Sequence, residues 1–208
     1  IGVVTAIVGI GSYRLAFLGR ADHAGTTPMD ARRDAGLGAS AFVLAARGRV
    51  LREYPDCVAN VGEMSFAPGA FNIVPARVEV ALEYRAPRAR QMERLGAALL
   101  EEAHAAAKRF DLGLEVEWLG QHDPAPMAEG AQAALVVAAG ALGLAHVSLA
   151  SGAGHDAQSL AALCPAGMVF VPSIDGASHS PREFTRWEDC VNGANVLLHG
   201  ALRMASGA

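Results

Sequence analysis

The chain has 208 residues, of which 52% are apolar and only 18% charged. That balance supports a buried core and excludes a disordered chain. The 17 Lys and Arg against 21 Asp and Glu leave a net charge of −4. No basic excess therefore points to nucleic acid or to an anionic membrane.

Residues 1–11 are apolar but too short to span a membrane, and no basic segment precedes them. The chain opens on Ile1, in strand-like sequence without an initiator Met, which suggests residues upstream. Residues 12–19 (SYRLAFLG) alternate with the period of a half-buried strand. Residues 24–33 are polar, with Gly25 and Pro28, and read as a loop. Over residues 34–54, Leu37, Ala41, Leu44, Ala45 and Leu51 recur at helical spacing, with Asp34 near the start. Strands follow over residues 57–66 and 73–84, joined by a turn containing Pro68 and Gly69. Over residues 88–110, Met92, Leu95, Leu99, Ala103 and Ala106 share one helix face. Residues 114–119 (LEVEWL) alternate again. The order βαββαβ is the split βαβ, ferredoxin-like pattern.

The pattern changes after Gly120. Residues 1–120 hold 14 basic and 14 acidic residues, and residues 121–208 hold 3 and 7, so the negative balance lies in the second segment. Residues 121–126 include Pro124 and Pro126 and read as a linker. Helix 129–142, strand 146–149, helix 155–163, strand 167–171 and helix 187–204 then alternate as α/β with buried strands. Two strands make no stable sheet alone. This segment is expected to need strands from elsewhere. Cys57, Cys164 and Cys190 show no CxxC spacing, hence no disulfide framework or thiolate knuckle. A reducing cytosol fits that usage, and a cytoplasmic location is expected.

Four segments carry chemistry-bearing residues. Residues 22–29 (DHAGTTPM) put His23 in a loop whose small neighbours admit a substrate, although the same residues also make a plain surface turn. Asn72 and Arg85 flank one strand region. Arg grips a carboxylate with a planar fork and Asn adds a donor, or the two are a turn Asn and a surface Arg. Residues 151–157 (SGAGHDA) follow a strand and open a helix, where backbone N–H groups and His155 could meet an oxyanion. Residues 172–181 (PSIDGASHSP) put His179 in a polar loop suited to a metal ligand. His155 and His179 both follow strands, which suggests one shared site at the carboxyl ends of the sheet; two unrelated loop histidines fit the spacing equally well. No nucleophile elbow is present in the sequence, so acyl-enzyme chemistry is unsupported.

Taken together, GxADHAGTTPMxxRxDA, FNIVP, YR, SGAGHDA and VPSIDGASHSPREFT, in that order, resemble the M20-type amidohydrolases of the hydantoinase/carbamoylase branch. That branch includes N-carbamoyl-L-amino-acid hydrolases, β-ureidopropionases and allantoate amidohydrolases. The resemblance implies a ferredoxin-like dimerisation domain at residues 12–119. Residues 120–208 would be the C-terminal part of an α/β metallohydrolase catalytic domain, and residues 1–11 the end of an upstream catalytic segment and linker. It implies a homodimer, a small substrate bearing a carboxylate, and two divalent metal ions (Zn, Mn or Co) in the full-length enzyme. His179 matches a metal-ligand histidine, the one ligand this chain would supply. His155 matches a substrate-contacting catalytic histidine that stabilises the tetrahedral intermediate. His23, a catalytic and substrate-binding match, joins Asn72 and Arg85 in reaching a substrate in the partner's active site, where Asn and Arg hold its carboxylate.

The family's other ligand motifs and its general base are absent from the sequence. The expected function is therefore that of a fragment: part of an enzyme hydrolysing the C–N bond of N-carbamoyl-L-amino acids or related ureido acids, inactive alone. Allantoate amidohydrolase is the alternative among enzymes. A non-catalytic dimerisation or carboxylate-binding module is the alternative outside them.

Overall fold

The computed structural model describes residues 1–206. In chain order its elements are β1 (Gly2–Ile7), β2 (Gly9–Leu18), α1 (Ala35–Glu53), β3 (Val58–Ala67), β4 (Arg77–Ala86), α2 (Ala89–Arg109), β5 (Gly113–His122), β6 (Ala125–Pro126), α3 (Glu129–Ala141), β7 (Val147–Ser151), α4 (Ala157–Ala161), β8 (Val169–Phe170) and α5 (Trp187–Ser206). They form two units: Gly9–Asp123, and Ile1–Val8 together with the chain from Pro124. Each is mixed α/β with its own sheet.

The unit Gly9–Asp123 is a four-stranded sheet in the order β3-β4-β2-β5, antiparallel throughout. β2 and β4 pair along their whole length, from Gly9 opposite Ala86 to Leu18 opposite Arg77. β4 alternates strictly. Val78, Val80, Leu82, Tyr84 and Ala86 are buried, while Arg77, Glu79, Glu83 and Arg85 take the other face. On that outer face the charges pair with one another: Arg14 with Glu117, Arg77 with Glu79 and Glu115, and Arg85 with Glu83. The βαββαβ order expected from the pattern is the order observed.

The two helices cover the buried face. α2 presents Met92, Leu95, Leu99, Ala103 and Ala106 to the core, the face its periodicity predicts. α1 is different. Of the expected stripe Leu37, Ala41, Leu44, Ala45 and Leu51, the leucines are exposed, at 39%, 74% and 62%, the alanines are half-buried, and the core is met by Ala39, Phe42, Ala46 and Val50. Both faces of α1 are apolar, so periodicity alone could not choose between them. The choice is made by the sheet, where Phe42 lies 5.9 Å from the Phe17 ring. Asp34 caps α1, accepting from the N–H groups of Gly36 at 2.8 Å and Leu37 at 3.3 Å.

The strand expected over residues 73–84 starts only at Arg77. Pro75 has no N–H to donate to a ladder. Ile73 instead bridges His23, and the Val74 N–H donates to the Asp22 carbonyl at 2.9 Å.

Tyr84 is buried in the core, stacked on Tyr13 at 5.9 Å. Gly96 of α2 makes room for it: a Cβ there would lie 2.6 Å from the Tyr84 hydroxyl oxygen. Burial pushes the Tyr84 phenol well above its ordinary value, and Tyr13 adds to the shift. The unfolded chain releases that proton near pH 10, whereas the folded chain keeps it, so stability falls as pH rises beyond about 10. Tyr84→Phe should flatten this alkaline loss, read as urea midpoints at about pH 8 and about pH 11. An unchanged slope in the variant would assign the loss to other groups.

In the other unit β1 is the organising strand. It pairs in parallel with β7 and antiparallel with β6 and β8. Residues 1–8 thus supply the strand that the two expected downstream strands lacked, and part of the expected linker forms β6. Val3 packs with Leu135, Ala138 and Ala139 of α3 and Val196 of α5. Val4 and Ile7 pack with Met127, Ala157 and Met168. The helix expected over residues 155–163 shrinks to Ala157–Ala161. Among the described residues no helix is long and apolar enough to cross a membrane.

Candidate functional site

His23 and Asn72 lie side by side because two loops of the four-stranded unit pair there. The Ala24 N–H donates to the Asn72 carbonyl at 2.9 Å, and His23 bridges Ile73. Both side chains are exposed. The His23 ring is oriented by its own loop: the Gly25 N–H donates to Nδ1 at 3.0 Å. A neutral imidazole that accepts at Nδ1 carries its proton on Nε2. In that form His23 offers its Nε2–H as a donor. Arg20 pairs with Asp22 at 2.8 Å beside it, and Phe71, next to Asn72, is fully exposed.

Arg85 is elsewhere. It lies near the far end of β4, opposite Val58 of β3 and Ile10 of β2. Its guanidinium bonds the Glu83 carboxylate through Nε at 2.8 Å and Nη2 at 2.7 Å. The His23–Asn72 pair adjoins the other end of the strand, where the Gly19 N–H meets the Ala76 carbonyl. Arg77 to Arg85 alone spans about 27 Å at ~3.4 Å per residue. Asn72 and Arg85 of one chain therefore cannot grip the same small carboxylate. The expected joint clamp within one chain fails on the length of that strand.

In the other unit His155 follows β7 in an exposed loop. Its Nδ1 accepts from the Ala157 N–H at 3.0 Å, the same fixed orientation as His23. Buried Ser151 steadies this loop by donating to the Ala153 carbonyl at 2.8 Å. The expected helix is short: α4 has five residues, and the Ala157 N–H already serves His155.

His179 is exposed and adopts a left-handed backbone (φ 53°). Its N–H donates to a Glu183 carboxylate oxygen at 2.8 Å, and the Ile174 N–H closes the loop on the Phe184 carbonyl at 2.9 Å. β7 runs with β1 and β8 against it, so the loops carrying His155 and His179 leave β1 at opposite ends. The strand pairing alone thus does not bring His155 and His179 together at one end of the sheet; a shared site needs the loop after β8 to carry His179 back. Among the described residues no three His, Cys, Asp or Glu side chains group closely enough to hold a metal ion. An exposed imidazole such as His179 suits one ligand position, not a whole site.

Two partners escaped the sequence reading. Glu183 holds the His179 backbone, and Arg32 holds the His23 loop through the Ala24 and Thr27 carbonyls. The available signal was a basic residue closing a Gly/Thr/Pro loop just before the Asp34 cap.

The sequence matches the family model of peptidase family M20/M25/M40 over residues 10–203. The chain belongs to that family. It is 37% identical over 207 residues to the N-carbamoyl-L-amino acid amidohydrolase of Geobacillus stearothermophilus, covering 100% of this chain and 50% of that protein. Against the N-carbamoyl-L-amino-acid amidohydrolase of Paenarthrobacter aurescens it is 39% identical over 199 residues, 95% of this chain and 48% of the other. Relatives described as allantoate amidohydrolase and ureidoglycolate hydrolase also match. The crystal structure of a hydantoinase/carbamoylase family amidase from Burkholderia multivorans superposes with a TM-score of 0.89 at 38% identity, over 95% of this chain and 48% of that one. The chain spans about half the length of the curated relatives it matches.

Proposed function

We propose that this M20-family chain is the substrate-recognising and dimerising part of an amidohydrolase that cleaves the C–N bond of N-carbamoyl-L-amino acids or related ureido acids. The observation that carries the reading is the loop pairing that brings the backbones of His23 and Asn72 together, with both side chains exposed. Small polar substrates are fixed by a few such oriented groups. The pair would meet the oxygens of the ureido acid, and Arg85 its carboxylate.

The strand order β3-β4-β2-β5 supports a ferredoxin-like domain, with β3 as one sheet edge. The exposed Leu37, Leu44 and Leu51 stripe of α1 lies in the same unit. We read these as the surface of a two-fold homodimer. A dimer also resolves the separation of Arg85 from His23 and Asn72, since the groups that meet one substrate would come from two copies. Light scattering at tens of micromolar should give a dimer, and Leu44→Asp a monomer. A wild-type monomer would remove the basis for a shared site.

In the other unit His155 would donate from Nε2 to the oxyanion, and His179 would supply one metal ligand. The metal ions of the whole enzyme (Zn, Mn or Co) would supply an activated water at neutral pH. This chain by itself should bind zinc weakly. Tight stoichiometric zinc lost on His179→Ala would show a complete site within these residues. In the full-length polypeptide, turnover of N-carbamoyl-L-amino acids should vanish with a chelator and return with metal. Turnover of allantoate instead would favour the allantoate reading, and failure with every ureido acid would favour a carboxylate-binding module.

A further inference from the structure

We infer that Arg32 is the positioning residue of His23, fixing which ring nitrogen faces the ligand. The inference rests on the reading of His23 as the substrate-facing donor. Arg32 is half-buried at the end of the loop it holds. Its Nη2 donates to the Ala24 carbonyl at 2.6 Å and its Nε to the Thr27 carbonyl at 3.1 Å. Those two carbonyls bracket Gly25, whose N–H makes the 3.0 Å bond to His23 Nδ1. The fork therefore clamps the loop on both sides of the one amide that sets the tautomer. The Thr27 N–H returns to the His23 carbonyl at 3.1 Å, closing the loop on itself.

The geometry at Gly25 has little slack. A Cβ there would lie 3.2 Å from His23 Cε1 and 3.4 Å from Nδ1. The amide thus sits close against the ring edge, and a small drift of the loop would break the bond. A lysine at position 32 would have one point of attachment where the planar guanidinium has two. His155 provides the contrast. Its Nδ1 is held by an N–H two residues on in the same way, and the loop that carries it is not the one that Arg32 clamps. Loss of Arg32 should therefore release His23 and leave His155 as it is.

The test is long-range 1H–15N NMR on the 208-residue chain labelled at histidine, in wild type, Arg32→Met and Arg32→Lys. In wild type His23 should show a bare Nδ1 and a protonated Nε2. Arg32→Met keeps the apolar stem and removes the fork, so the two His23 nitrogens should average between tautomers while His155 stays unchanged. Arg32→Lys should fall between the two. A His23 pattern in Arg32→Met identical to wild type, with β4 amides still protected, would overturn the inference. If Arg32→Met loses β4 protection, Arg32→Lys decides by the same criterion. Unfolding of both variants would also overturn it, because Arg32 would then hold the fold and not the tautomer. The result is independent of turnover. A correct tautomer together with a His23→Ala full-length enzyme of undiminished activity would instead overturn the substrate-facing reading of His23.

Discussion

Phe42→Ala should destabilise the chain by about 3–5 kcal/mol, the range for removing a buried aromatic ring. Leu44→Ala, two residues on, should cost less than about 0.5 kcal/mol when both are compared in the monomer range of concentration. Phe42 is 0% exposed and lies against Phe17, whereas Leu44 is 74% exposed. A typical domain has only about 5–15 kcal/mol to lose, so the Phe42 variant should show a clearly earlier urea midpoint. Comparable losses in the two variants would mean that α1 packs on the face its leucines suggest.

Arg85→Lys, in the full-length polypeptide, should cost about 1.5–3 kcal/mol of transition-state binding, the range for a hydrogen bond to a charged group. That is about tenfold to over a hundredfold in kcat/KM. The guanidinium already bonds Glu83 through Nε and Nη2, which fixes its plane before substrate arrives. An ammonium cannot copy a planar fork, so the loss should be large despite the retained charge. With the substrate carboxylate replaced by a neutral amide, wild type and variant should converge. A tenfold gap that persists on the amide would assign Arg85 to holding the strand and not to the carboxylate.

The α2 face was legible in the sequence because only one side of that helix is apolar; every residue of its stripe is buried. The α1 face was not, because Leu37, Leu44 and Leu51 repeat as regularly as the residues that pack. Which stripe is buried depends on sheet contacts far away in sequence. His23 and Asn72 were each legible as loop residues with chemistry. Their proximity was not, because the bridge between residues 23 and 73 is non-local and Pro75 delays the strand that follows. The separation of Asn72 from Arg85 follows from the strand region between them, and β4 sets it. The role of β1 was hidden for a similar reason: a short apolar segment shows its partners only when β6, β7 and β8 are paired on it.

The most direct test of a shared carboxylate site mixes two damaged chains. Full-length His23→Ala and Arg85→Lys proteins are purified, each weakly active, and combined into heterodimers confirmed by mass. If one substrate meets His23 of one copy and Arg85 of the other, one of the two sites in the mixed dimer carries both defects and the other carries neither. Activity on an N-carbamoyl-L-amino acid should then return to about half that of the wild-type dimer. If both residues served the same site from the same chain, each site would keep one defect, and mixing would restore nothing.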